Sequence, residues 1–146
     1  MQISQATPSD LPRLFEVWEA SVRATHDFLG EDGIQQLIPL VRQILGEFSP
    51  LYCLRDGHGA VYAFMGVAQG NIEMLFVDPA RRGGGAGRTL VEFALGDLGA
   101  YKVDVNEQNG QAVGFYTRMG FVQVGRSARD PFGNPYPLLH LELGAQ

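Results

Sequence analysis

The chain has 146 residues, 45% of them apolar and 18% charged, with a formal net charge of -5. That size and make-up suit one globular domain over 1–146, whose core closes without disulfides or metals. The negative balance opposes attraction to nucleic acid or anionic membrane, so neither is an expected partner. The single cysteine, Cys53, excludes an intrachain disulfide and lies in an apolar run, as a small core residue does. Met1 to Gln5 lack the basic and apolar segments of a signal peptide, and no apolar run reaches the length of a membrane span. A cytoplasmic location is the default expectation.

In chain order, Gln2 to Ala6 is a short strand, and Thr7-Pro8-Ser9-Asp10 supplies caps and a proline suited to a helix start. Leu11, Leu14, Phe15, Trp18 and Val22 follow at helical spacing, and Ile34, Leu37, Ile38, Val41 and Leu45 repeat it in a second helix stopped by Gly46 and Pro50. The period then changes. Leu51–Leu54 and Val61–Val67 predict strands around the turn Asp56-Gly57-His58-Gly59, and Ile72–Val77 predicts another strand ended by Asp78-Pro79. Thr89–Leu98 predicts a helix, Tyr101–Val105 a strand, and Gln111–Met119 a helix closed by Gly120. Phe121–Val124 and Leu138–Leu143 are the last strands. The order β-α-α-β-β-β-α-β-α-β-β makes a mixed α/β sheet, antiparallel at the early hairpin and parallel across the later β-α-β crossover.

The most informative segment follows the strand ending at Val77. Gly83-Gly84-Gly85-Ala86-Gly87 leads directly into a helix, with Arg81, Arg82 and Arg88 around it. Glycines allow left-handed backbone angles and close approach of a ligand, and successive N–H groups then form a concavity for anions. The helix start adds unpaired N–H donors, and the arginines can bond phosphate oxygens. A plain glycine-rich turn is the simpler reading, but strand, arginines and helix together favour a phosphate ligand. A Walker A loop would need Lys after its last glycine, where Arg88 stands. A dinucleotide fingerprint would need a third glycine, where Arg88 or Leu90 stands.

At these residues the chain resembles the GNAT superfamily of N-acetyltransferases. Arg82-Gly83-Gly84-Gly85-Ala86-Gly87 fits its acetyl-CoA motif, and Asn109 to Phe121 resembles its second block, with Asn109, Ala112, Phe115-Tyr116 and Gly120-Phe121 in place. The element order equals the GNAT topology. Within the superfamily, Ala24-Thr25-His26-Asp27-Phe28-Leu29, Val105 to Asn109 and Pro135 to Leu139 look like the bacterial YjaB-type acetyltransferases.

The resemblance implies direct transfer of acetyl from acetyl-CoA to a primary amine, protein lysine or small molecule, in a ternary complex. It assigns the diphosphate to Arg82, Gly83, Gly84, Gly85, Ala86, Gly87 and Arg88, and the pantetheine arm to the backbone of Leu75, Phe76 and Val77. It assigns Asn109 to the CoA arm and Tyr116 to the protonation of the leaving thiolate, phenol and thiol acidities being close. Asn109 is equally a helix N-cap, and Tyr116 equally a filler of the helix–sheet interface. Two residues are candidates for taking the ammonium proton. Glu73 shares the face of Leu75 and Val77 by period-2 alternation, though it is also readable as an exposed strand-end carboxylate. His26 lies between the two helices that border the acceptor site, where a lone histidine is often structural. His58 and His140 are assigned no catalytic role, and no metal is expected. An acceptor site near Asp27, Glu31, Asp32 and Asp130 would favour a cation, unless those charges form a solvated rim. The oligomeric state, monomer or homodimer, stays open, and a non-catalytic acyl-CoA-binding module is the alternative to an enzyme.

Overall fold

The structure, a computed structural model, describes residues 1–144. Its first half runs β1 (Ile3–Gln5), α1 (Leu11–Thr25), α2 (Gly30–Glu47), β2 (Tyr52–Arg55), β3 (Val61–Ala68) and β4 (Asn71–Val77). Its second half runs α3 (Ala86–Asp97), β5 (Lys102–Asn106), α4 (Gly110–Arg118), β6 (Phe121–Ser127) and β7 (Leu138–Leu143). The expected element order and the mixed α/β class therefore hold. The seven strands form one sheet in the order β1-β2-β3-β4-β5-β7-β6, parallel only between β4 and β5. No helix among the described residues is long and apolar enough to cross a membrane.

Local chemistry explains the boundaries. The Thr7 N–H donates to Asp10 Oδ2 at 2.7 Å ahead of α1, and Arg55 grips both Asp10 oxygens at 2.9 and 2.7 Å. That fork ties the start of α1 to β2, and the guanidinium holds the Asp10 carboxyl well below the usual carboxylate range. The hairpin turn forms as expected, with Asp56 Oδ1 accepting from the N–H groups of His58 and Ala60. Helix α3 starts at Ala86, inside the glycine run rather than at Thr89, because Gly85 adopts a left-handed φ of +85° and takes the N-cap position.

Apolar faces fill both sides of the sheet. Leu90, Val91 and Ala94 of α3 and Tyr116 of α4 pack with Val103, Val105 and Leu141 on one face. Leu14, Val17 and Trp18 of α1 pack with Ile34, Cys53 and Phe64 on the other. Cys53 is a buried free thiol in this second cluster.

The placement of Glu73 corrects the sequence reading. Met74 pairs with Gly66 and Ile72 with Val67, so β4 carries one extra residue at Glu73. A bulge of this kind reverses the alternation beyond it. Ile72, not Glu73, therefore packs into the cluster that also holds Leu75 and Val77. Glu73 is exposed and lines a cavity with Lys102 and Asp104 on the opposite face.

The partner of that register step is under steric constraint. A Cβ on Gly66 would lie 2.6 Å from Phe48 Cε1 and 3.0 Å from Leu51 Cδ2. Gly66→Ala is expected to destabilise the fold by about 1–3 kcal/mol, since the ring and the leucine must both yield. Urea unfolding of the two proteins checks this, and an unchanged midpoint would contradict it.

Candidate functional site

The site begins with a gap in the sheet. Strands β4 and β5 pair only through Asn71 with Lys102 and Ile72 with Val103. Beyond Ile72 they diverge, so Leu75, Phe76 and Val77 have no sheet partner on the β5 side. Unpaired backbone groups in such a gap need a partner, either water or ligand. Helices α3 and α4 flank the opening, and a cavity of about 370 Å³ fills it.

The loop after β4 is held open by its own contacts. Asp78 Oδ1 accepts from the Ala80 N–H at 3.0 Å, and Arg13 Nη2 donates to Asp78 Oδ2 at 3.0 Å. Gly83 and Gly85 both take left-handed φ angles, +81° and +85°, which a side chain would strain. The first intrahelical bond of α3 runs from the Thr89 N–H to the Gly85 carbonyl at 2.9 Å. The N–H groups of Ala86, Gly87 and Arg88 are therefore the orphan donors of the helix start. Gly87 also lets the Phe115 ring approach, since a Cβ there would lie 3.2 Å from Phe115 Cζ.

Most of the predicted donor-site residues meet in this one cavity. Leu75, Phe76 and Val77 line its strand wall, and Arg82, Gly83, Gly85, Ala86, Gly87 and Arg88 line its loop wall. Asn109 and Tyr116 line the wall from α4, and His26 closes the end beside α1. Gly84 is exposed and does not line it, nor does Glu73. Arg81 stands apart as well, its guanidinium 4.2 Å over the Tyr62 ring. Ser21, Thr25, Gln111 and Arg118 line the cavity without having been singled out. Their signal was the helical period, since Ser21 and Thr25 lie one turn apart on α1 and Gln111 and Arg118 two turns apart on α4.

Two side chains have chemistry set by their surroundings. The Tyr116 ring is buried, with Phe115 and Phe121 at 5.0 and 5.4 Å. Burial pushes its phenol well above the usual range, so the proton stays on at all working pH values. The match of phenol and thiol acidities expected from sequence is thereby shifted toward a phenol that donates a hydrogen bond and resists full ionisation. Every fully buried side-chain oxygen or nitrogen among the described residues has a hydrogen-bond partner. Among the described residues the Tyr116 hydroxyl has no such partner, so it is not sealed in the core and faces the cavity it lines. Asn109 caps α4, its Oδ1 accepting from the Ala112 N–H at 3.2 Å, which leaves its amide nitrogen for the cavity.

His26 is oriented by α1. The Thr25 hydroxyl donates to the Ser21 carbonyl at 2.8 Å and lies 2.7 Å from His26 Nδ1. A hydroxyl has one proton, so here it accepts from Nδ1–H. The neutral ring is thus the Nδ1–H tautomer, with the lone pair on Nε2. Desolvation lowers the His26 pKa below its usual 6.5 and keeps the ring neutral. Its ring lies tilted against Phe28 with centroids 5.3 Å apart, and Phe28 in turn meets Tyr136 at 5.5 Å.

A second cavity, of about 440 Å³, opens on the other side of His26. Its walls are mostly apolar, from Trp18, Val22, Leu37 and Val41 to Phe132 and Leu138, and it shares His26 and Phe76 with the first. Of the four carboxylates considered from sequence only Asp130 lines it, and that group accepts from the N–H groups of Phe132 and Asn134 at 2.9 and 2.8 Å. Glu31 is instead paired with Arg23 on the surface, and Asp27 and Asp32 are exposed and do not line the cavity. Among the described residues no group of His, Cys, Asp and Glu could hold a metal ion.

A splayed β4–β5 pair opposite a glycine-started helix defines the class, and sequence comparison agrees. Residues 42–131 match the family described as acetyltransferase (GNAT) domain, and the chain belongs to that family. It is an acetyltransferase. Peptidyl-lysine N-acetyltransferase YjaB of Escherichia coli K12 is 45% identical over 128 residues, 88% of this chain and 86% of that protein. The protein of the same name from Salmonella typhimurium is 44% identical over 129 residues, 88% of each chain. The solution structure of apo-form YjaB from Escherichia coli superposes with a TM-score of 0.90 at 41% identity over the full length of both chains. The family match begins at Arg42. It thus leaves out α1 and most of α2, which supply much of the wall of the second cavity.

The His26 geometry makes a direct prediction. The ring is expected to charge with a midpoint below pH 6.5, and stability to fall as pH drops through 6.5, because the unfolded chain then takes up the proton first. Nitrogen-15 NMR titration checks both midpoint and tautomer. A midpoint above 6.5, or an Nε2–H tautomer, would contradict the arrangement.

Proposed function

We propose that the protein transfers acetyl from acetyl-CoA to the side-chain amine of a protein lysine, within a ternary complex. The observation that carries this reading is the meeting of two cavities at Phe76 and His26, one lined by anion donors and the other by apolar walls. Three features of the first suit acetyl-CoA: N–H donors and arginines for a diphosphate, unpaired strand backbone for an amide-bearing arm, and a buried phenol near the far end. The second suits lysine, whose methylene stem packs on apolar walls while its amine reaches the junction. The names of the relatives above point the same way.

In this reading the backbone of Leu75 to Val77 aligns the thioester, and an N–H of that strand stabilises the oxyanion as the amine adds to the carbonyl. His26 Nε2 accepts the proton that the amine must lose, being neutral and directed by Thr25. The carbon–sulfur bond then breaks, and the Tyr116 hydroxyl donates to the departing sulfur. Glu73 takes no part, because the bulge turns it to the other face. Arg82 and Arg88 neutralise the diphosphate; Arg88 also pairs with Glu92 at 2.8 Å and would exchange that partner for phosphate.

Removing the phenol separates binding from chemistry. Tyr116→Phe is expected to lower kcat by about 10²-fold while Kd for CoA stays within a factor of about two. Thiol release with lysine-containing peptides, alongside calorimetric titration of CoA, measures the two quantities. Unchanged turnover would remove Tyr116 from the mechanism, and no lysine acetylation with any peptide would overturn the acceptor assignment.

A further inference from the structure

Away from both cavities of the acetyl-transfer site, three side chains on the opposite, polar part of the sheet form a relay. Asp104 Oδ1 lies 2.6 Å from His140 Nδ1, and His140 Nε2 lies 2.7 Å from Ser127 Oγ. The three come from β5, β7 and β6, and each position is fixed by the sheet. Asp104 and His140 are cross-strand partners, on the face away from the packed Val103, Val105, Leu139 and Leu141.

Ser127 reaches this face through an irregularity. Gln123 pairs with Leu141 but Gly125 with His140, so β6 carries one extra residue at Val124. In regular register Arg126 would share the face of His140. The extra residue substitutes Ser127, and turns Arg126 away to pair with Glu107. At Gly125 a Cβ would lie 3.4 Å from His140 Cδ2, an ordinary van der Waals contact, so the ring packs directly against β6 there.

The proton positions follow from valence. An ionised Asp104 only accepts, so Nδ1 carries the hydrogen; the neutral ring then accepts at Nε2, and the Ser127 hydroxyl donates to it. A serine whose proton rests on an imidazole oriented by a carboxylate is an activated nucleophile. His140 and Asp104 line a polar cavity of about 440 Å³ with Glu73, Lys102 and Glu142. Ser127 is not among the residues that line it, so the cavity lies beside the relay rather than around the nucleophile, and its carboxylates disfavour anionic substrates nearby. Because β6 is an edge strand, alternate N–H groups beside Ser127 have no sheet partner and are available to a developing oxyanion.

We propose that Ser127, His140 and Asp104 form a second catalytic site, which cleaves uncharged or cationic acyl esters. Ser127 Oγ bonds to the ester carbonyl carbon while its proton passes to His140 Nε2. The ester carbon–oxygen bond breaks, and that proton leaves with the alcohol. Water then attacks the acyl-serine by the same route and releases the acid.

The test uses the intact chain with p-nitrophenyl acetate and, separately, a fluorophosphonate probe followed by peptide mapping. Expected are fluorophosphonate on Ser127 and nitrophenolate release that falls at least ~10-fold in both Ser127→Ala and Asp104→Asn. Mapping keeps the result independent of hydrolysis elsewhere in the molecule, and of whether a variant folds. Absence of label from Ser127 in the unmodified chain overturns the proposal, as does equal hydrolysis by Ser127→Ala with an unchanged melting temperature. A lowered melting temperature in His140→Ala without labelling of Ser127 means that the relay only pins β5, β6 and β7 together, and overturns it too.

Discussion

Everything at the proposed acetyl-transfer site depends on the brevity of one strand pairing. β4 and β5 share only two register pairs before they part. A regular sheet would have consumed the backbone groups of Leu75, Phe76 and Val77 in its ladder. The divergence leaves those that point toward β5 unpaired inside the fold, since β3 takes only the others, and an unpaired backbone group away from water is costly. The gap is tolerable because both sides are built around it: α3 and α4 cover one face, α1 and α2 the other, and the loop after β4 stays open on left-handed glycines. The same opening makes Phe76 a wall of two cavities at once.

Burial then sets the chemistry of the residues that line the gap. Tyr116 is kept protonated by its aromatic surroundings, and His26 is kept neutral by partial desolvation. The two shifts go in opposite directions on the pKa scale, yet both favour the uncharged form, as a low-polarity site requires. Thr25 adds direction to His26, because its hydroxyl proton is already committed to the Ser21 carbonyl. A buried serine and its neighbouring threonine thus act on the site without any charge of their own.

Much of this was legible in the sequence. The glycine loop could be read because left-handed turns and helix starts each demand particular residues, and Asn109 because a cap and a ligand contact use the same side chain. Tyr116 followed from the family pattern alone. What failed was extrapolation along strands. Alternation assigned Glu73 to the face of Leu75 and Val77, and the extra residue in β4 reversed it. The same effect at Val124 brought Ser127 beside His140, where a regular strand would have placed Arg126. A bulge is decided by packing between strands distant in sequence, and neither β4 nor β6 announces one locally. Asp130 illustrates a different limit: its residue type suggested charge for an acceptor, while the loop uses the carboxylate to fold its own backbone.

A structure of the protein with CoA bound tests the central claim most directly. Expected are the diphosphate at the N–H groups of Ala86, Gly87 and Arg88, the pantetheine arm hydrogen-bonded along Leu75 to Val77 between β4 and β5, and the sulfur within reach of the Tyr116 hydroxyl. CoA bound outside the β4–β5 gap, or a sulfur directed away from Tyr116, would contradict it.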